Sequence, residues 1–211
     1  MTRTMTAAEH RRVTAAIQAA ESRTSGEIYC VVARASDNYF FPAASIALAS
    51  ILVFSLPVAL ALEYRWIALR LLWFVGAQLL AAACALLALW LVPALRLALV
   101  PHRLRYRRAH DNARKQFLAR NVHVTTARTG VLIFVSLAER YAEVVADSGI
   151  NQKVSQVTWN AIVAELVAAA KADRLADGFV KAVETVGALL SAHFPVSPDD
   201  ANELDDRVVE I

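Results

Sequence analysis

The chain has 211 residues, 57% of them hydrophobic and 19% charged, with a formal net charge of +3. That composition excludes an ordinary soluble chain and fits a two-span membrane protein carrying one small water-soluble domain. Its two cysteines, Cys30 and Cys84, offer no disulfide framework and read as small buried apolar residues.

The first 25 residues hold Arg3, Glu9, Arg11, Arg12 and Glu21 and have no apolar h-region, so no cleavable signal peptide is expected. Thr6-Ala7-Ala8-Glu9 reads as a capping box opening a helix, with Val13, Ile17 and Ala20 at helical spacing and Ser25-Gly26 marking its end. Glu27 to Ala33, rich in β-formers, reads as a strand. A lone strand cannot satisfy its backbone, so it must pair with sequence beyond residue 100. What lies between is an insertion into a single fold.

That insertion contains two uncharged apolar stretches, Phe40 to Leu62 and Leu71 to Leu95. Each is long enough to cross roughly 30 Å of hydrocarbon as a helix. They are expected to form a transmembrane hairpin whose first span acts as an uncleaved signal-anchor. Pro42 sits harmlessly near the first span's start, whereas Pro57 and Pro93 are expected to kink their helices. Ala43 and Ala47, and Ala77, Ala81 and Ala85, are either close-approach ridges or ordinary filler. Gln78 could bond Ser50, Ser55 or its copy in a second protomer, which leaves a homo-oligomer open. One amide in two spans is too little polar lining for a pore.

Directly afterwards come Arg96, His102, Arg103, Arg105, Arg107, Arg108, His110, Arg114 and Lys115, against Glu63, Arg65 and Arg70 around the connecting loop. The positive-inside rule then puts both termini and the soluble domain in the cytoplasm, beneath the inner membrane. Arg103, Arg105, Arg107 and Arg108 are the expected lipid-facing cluster for anionic head groups. The run lies against the membrane and lacks interleaved aromatics beyond Tyr106, so nucleic acid is not an expected partner.

Tyr106, Ala109, Ala113 and Phe117 mark the apolar face of this basic helix, and Gly130 to Ser136 has the pattern of a central strand buried on both faces. A turn at Ala138-Glu139 leads into an alternating stretch from Arg140 to Asp147, expected to pair antiparallel. Two amphipathic helices follow, carrying Trp159, Ile162, Val163, Leu166 and Ala170, then Leu175, Phe179, Val183, Val186 and Leu190. His193-Phe194-Pro195 stops the second. The first two strands and the basic helix between them make a parallel βαβ unit. The expected fold is a small α/β sandwich: residues 1–38 and 101–195 form the domain, 39–100 the hairpin, and 196–211 a mobile acidic tail.

Glu143 and Asp147, four apart on a strand, share a face and could join Glu139 and Glu27 in a carboxylate cluster. Such oxygen sites suit Ca2+ or Mg2+; charged gatekeepers on a strand edge look the same. Asp147 is the best single candidate, at a strand end before a helix. The five histidines show no ligand spacing, and no catalytic constellation is readable.

Thr24-Ser25-Gly26-Glu27-Ile28 after an N-terminal helix resembles the opening of the TPM-domain family. So does Arg128-Thr129-Gly130-Val131-Leu132-Ile133-Phe134-Val135-Ser136, followed by Glu139-Arg140 and by Val145-Ala146-Asp147-Ser148-Gly149-Ile150, with Trp159 and Asp177-Gly178-Phe179 beyond. The resemblance implies an α/β/α sandwich. In some members it implies divalent-metal binding and weak acid-phosphatase activity, and in plant members upkeep of a membrane protein complex. This chain departs from the pattern in its inserted hairpin, and in the run Asn-Gln-Lys-Val-Ser-Gln-Val-Thr after Ile150, where many relatives place acidic residues. The expected function is a membrane-anchored binding, assembly or quality-control module for membrane proteins. The alternative is a divalent-metal-dependent phosphatase-like hydrolase.

Overall fold

The computed structural model describes residues 5–66, 70–124, 128–196 and 206–211. The chain divides into two compact units, one of residues 1–36 and 106–211, the other of residues 37–105.

In the first unit, helix α1 (Ala7–Glu21) opens on the expected capping box: Thr6 accepts from the Glu9 amide while Glu9 accepts from the Thr6 amide. Strand β1 (Glu27–Ala33) follows and is buried along its whole length. Beyond the insertion come β2 (Gly130–Ser136), also wholly buried, and β3 (Tyr141–Ala146). β1 and β2 run parallel with Glu27 opposite Gly130, and β2 and β3 run antiparallel with Ser136 opposite Tyr141. All three strands and both pairings are as the sequence predicts.

Side-chain alternation divides the core between two faces. Ile28, Cys30, Val32, Val131, Ile133 and Val135 face one way, against α1, α7 (Gln156–Lys171) and α8 (Leu175–His193). Tyr29, Val31, Ala33, Leu132 and Phe134 face the other, where Ala113 and Phe117 of α5 (His102–Ala119) cover them. The result is a mixed α/β sandwich. Close helix contact needs small residues: a Cβ on Gly187 would stand 2.6 Å from the Ala20 Cβ, which is how α8 approaches α1.

The mobile acidic tail needs correction at its end. Val208–Glu210 form a strand, β4, parallel to β1, giving the sheet order β3-β2-β1-β4. Val208 enters one core and Val209 borders the other. The Ile211 amide donates to Val32 O at 2.9 Å and the Arg34 amide to Ile211 O at 2.8 Å. Glu210 accepts from the Met5 amide at 3.1 Å. An otherwise open edge of a fully buried strand captures a short apolar segment that the surrounding acidic residues hide from a composition reading. Asp199, Asp200, Glu203 and Asp205 lie outside the described residues.

The second unit holds α2 (Phe40–Tyr64), α3 (Leu71–Leu91) and α4 (Pro93–Leu99). α2 and α3 are long and apolar enough to cross a membrane, and neither most-apolar stretch is buried. Their contact is made by Ala43, Ala44 and Leu89, with Ala47 and Leu86 beside them. Pro57 is accommodated inside α2. Pro93 does more than kink: α3 stops at Leu91, and Pro93 opens α4 as its first residue. The Ser50 and Ser55 hydroxyls donate to Ile46 and Leu52 carbonyls of their own helix. Such back-bonding is local and satisfies the hydroxyls without Gln78.

Candidate functional site

The three candidate metal carboxylates fall in three places. Glu139 lies in the turn after β2, almost fully buried, where Oε1 accepts from the Ser36 amide at 2.9 Å and Oε2 from the Ser136 hydroxyl. Ser36 and Ser136 hydroxyls also meet at 2.8 Å. This network caps the carboxyl ends of β1 and β2, the end where parallel strands most often present ligands. Asp147 is at the other end: its amide donates to Gly130 O at 3.0 Å, at the start of β2. The seven residues of β2 therefore separate Glu139 from Asp147 by about 20 Å.

Asp147 Oδ1 accepts from the Ser148 amide and hydroxyl, capping the short helix α6 (Ser148–Asn151). Its Oδ2 is buried and has no hydrogen-bond partner among the described residues. Glu27 lies at this same end of the sheet, opposite Gly130. Among the described residues, no three His, Cys, Asp or Glu side chains gather as a cation site needs. One open oxygen on Asp147 is not a donor set, so the arrangement does not fit a metal centre built from Glu139, Glu143 and Asp147. Antiparallel β3 carries Asp147 away from the carboxyl ends of the parallel strands, which is why its place before a helix misleads.

Glu143 sits mid-strand on the α5 side of β3, opposite Phe134. Both its oxygens lie within hydrogen-bond distance of His110 Nδ1, at 3.0 and 2.9 Å, and Tyr141 Oη donates to Oε2 at 2.8 Å. A carboxylate only accepts, so Nδ1 carries the proton in this contact. The Tyr141 phenol is pushed well above its ordinary range, first by burial and then by Glu143, and so remains a donor. Tyr106 packs edge-on against Tyr141, ring centroids 5.1 Å apart. His110, Tyr141 and Tyr106 were not singled out as a site by the sequence. The available signal was the βαβ reading, which lays α5 across the sheet and brings position 110 toward β3.

Of the proposed basic cluster, Arg103, Arg105, Arg107 and Arg108 all lie on α5. Arg103, Arg107 and Arg108 are exposed and Arg105 is half-buried.

A second titratable group stands out at the end of α1. The Glu21 carboxyl is pushed up to about 9, first by burial, with Glu27 and Asp206 adding repulsion against the lowering effect of the Ile28 amide bond. Cys30, wholly buried, has its thiol pushed far above the ordinary range by the same desolvation. It is a core residue, not a nucleophile.

An α/β sandwich with a parallel β1–β2 pair and an antiparallel β3 defines the class of this protein. Residues 95–189 match the family model of the TPM domain. Over that stretch the chain is similar to the TPM domain. The solved NMR structure of BA42, a protein of the psychrophilic bacterium Bizionia argentinensis, is similar with a TM-score of 0.61 at 20% identity, covering 100% of this chain and 97% of that one. That likeness speaks to the fold. No curated protein gave a significant match.

Proposed function

We propose that the chain is a membrane-anchored TPM-domain module that binds partner membrane proteins and serves their assembly or quality control without catalysing a reaction. One observation carries the choice between module and enzyme. Glu139 and Glu143 are each engaged by donors of the protein itself, and Asp147 lies at the opposite end of the sheet from Glu139. Anchoring rests on the two unburied apolar helices, and the arginine-rich segment after them orients both termini and the domain to the cytoplasm. The bilayer, its anionic lipids and a membrane protein are the partners.

The test is site-specific photocrosslinking from the exposed face of α7 in intact membranes. A discrete membrane-protein adduct is the expected result; only random neighbours would overturn the reading. Titration of Ca2+ or Mg2+ against thermal stability, beside Asp147→Ala, examines the phosphatase-like alternative. A ligand held only by the folded state at about 100 times its Kd adds roughly 2.7 kcal/mol. We expect no such rise. A rise abolished by the variant would favour the hydrolase.

A further inference from the structure

Arg107, His110 and Arg114 follow one another on α5 at spacings of three and four, which places them along one flank of the helix beside the buried Ala109–Ala113–Phe117 stripe. Neither guanidinium has a hydrogen-bond or ion-pair partner among the described residues, and both side chains are exposed. Asp111 stands between them in sequence but pairs with neither. The imidazole is different. It is fixed through Nδ1 by Glu143, which Tyr141 holds from the other side. The His110 side chain is 43% exposed, and Nε2 has no partner among the described residues. A histidine held on one nitrogen by a carboxylate presents the other nitrogen in a fixed place. Two unpaired guanidiniums flank it, one turn to each side, and they carry donors only.

Two guanidinium forks, joined by Nε2 as a third donor when the imidazole carries both its protons, fit a tetrahedral oxyanion. Its source is set by the chain itself. Only residues 92–106 separate the end of α3 from Arg107, so an anchored hairpin tethers this flank within reach of head groups. We propose that Arg107, His110 and Arg114, with Glu143 holding the imidazole, form a binding site for the phosphate of an anionic phospholipid head group. This rests on the membrane-anchored reading given above, and it differs from a diffuse basic patch because Glu143 is part of the site.

The difference supplies the test. The full chain is reconstituted in lipid nanodiscs with or without phosphatidylglycerol, and the His110 imidazole signals are followed by NMR alongside binding of a fluorescent phosphatidylglycerol. Anionic discs should shift His110. R107A/R114A should weaken lipid binding on the order of tenfold or more. R108A/K115A removes the same charge from the opposite flank and should do much less. Glu143→Ala removes a negative charge, so a diffuse patch would bind more tightly; the site as described binds more weakly, with His110→Asn behaving alike. Equal losses in the two double variants, or tighter binding by Glu143→Ala, would overturn the proposal. So would an equal His110 shift with inorganic phosphate in zwitterionic discs, which would make the ligand a soluble phosphate. Failure to enter nanodiscs would instead sink the anchored reading; entry without a His110 shift would sink only this one.

Discussion

Gly130 shows how a single residue can hold the fold. A Cβ there would stand 2.0 Å from the Val122 carbonyl oxygen and 2.8 Å from Val122 Cγ1. The obstacle is backbone, which cannot swing aside as a side chain would, so Gly130→Ala should lower the unfolding free energy measured with denaturant by about 2 to 4 kcal/mol. Phe134 lies in the middle of the same strand with no exposed surface, and Phe134→Ala should cost about 3 to 5 kcal/mol in the same measurement. Glu21 works against the fold. With its folded value near 9 against an ordinary 4.5, the native state keeps a proton that the unfolded chain releases. The stability from that proton is full below about pH 4.5, falls by up to ~1.4 kcal/mol per pH unit as pH rises, and is gone above about 9. Glu21→Gln should therefore flatten the stability profile across this window and raise stability near neutrality. An unchanged slope in urea titrations at several pH values would show that Glu21 is solvated.

At the scale of elements, the C-terminal strand is the piece most open to experiment. β4 is three residues long, yet it closes the edge of β1 and places Val208 in the main core. Removing residues 208–211 should destabilise the domain and sharply speed hydrogen exchange at the Arg34 amide, which donates to Ile211 O. If exchange there is unaltered, β4 is not a standing part of the sheet. The other elements are legible because their signals are local. The Thr6–Glu9 box, the β-rich runs at Glu27 and Gly130 and the stop at Pro195 each state a boundary within a few residues. α4 and α6 were hidden for the same reason in reverse, being too short to show a period.

For the whole molecule, the expected behaviour is that of a hairpin-anchored protein. The chain should resist alkaline carbonate extraction, and a reporter at its C-terminus should be active in the cytoplasm. A cysteine placed at Glu63 should react with an impermeant reagent from the opposite side. Extraction by carbonate, or labelling of both positions from one side, would contradict the assignment. The family match begins at residue 95, within α4 at the end of the apolar unit. A long insertion between β1 and α5 separates the matched stretch from the first strand it pairs with. Such an insertion is tolerated because it leaves the sheet register intact, and loop-closure entropy grows only slowly with length.

By itself, the sequence determined the first three strands, the pairings among them, the apolar hairpin and the TPM resemblance. All of these follow from periodicity, capping and composition read within a window of one element. What sits beside what was decided only in three dimensions. The antiparallel turn at Glu139 sends Glu139 and Asp147 to opposite ends of the sheet, undoing a carboxylate cluster that spacing alone allowed. The crossover of α5 brings His110 to Glu143 across 33 positions, and the β1 edge takes up a strand from a segment that reads as a tail. Long-range pairing follows from closing a sheet and filling two cores at once, and no local stretch of sequence records that.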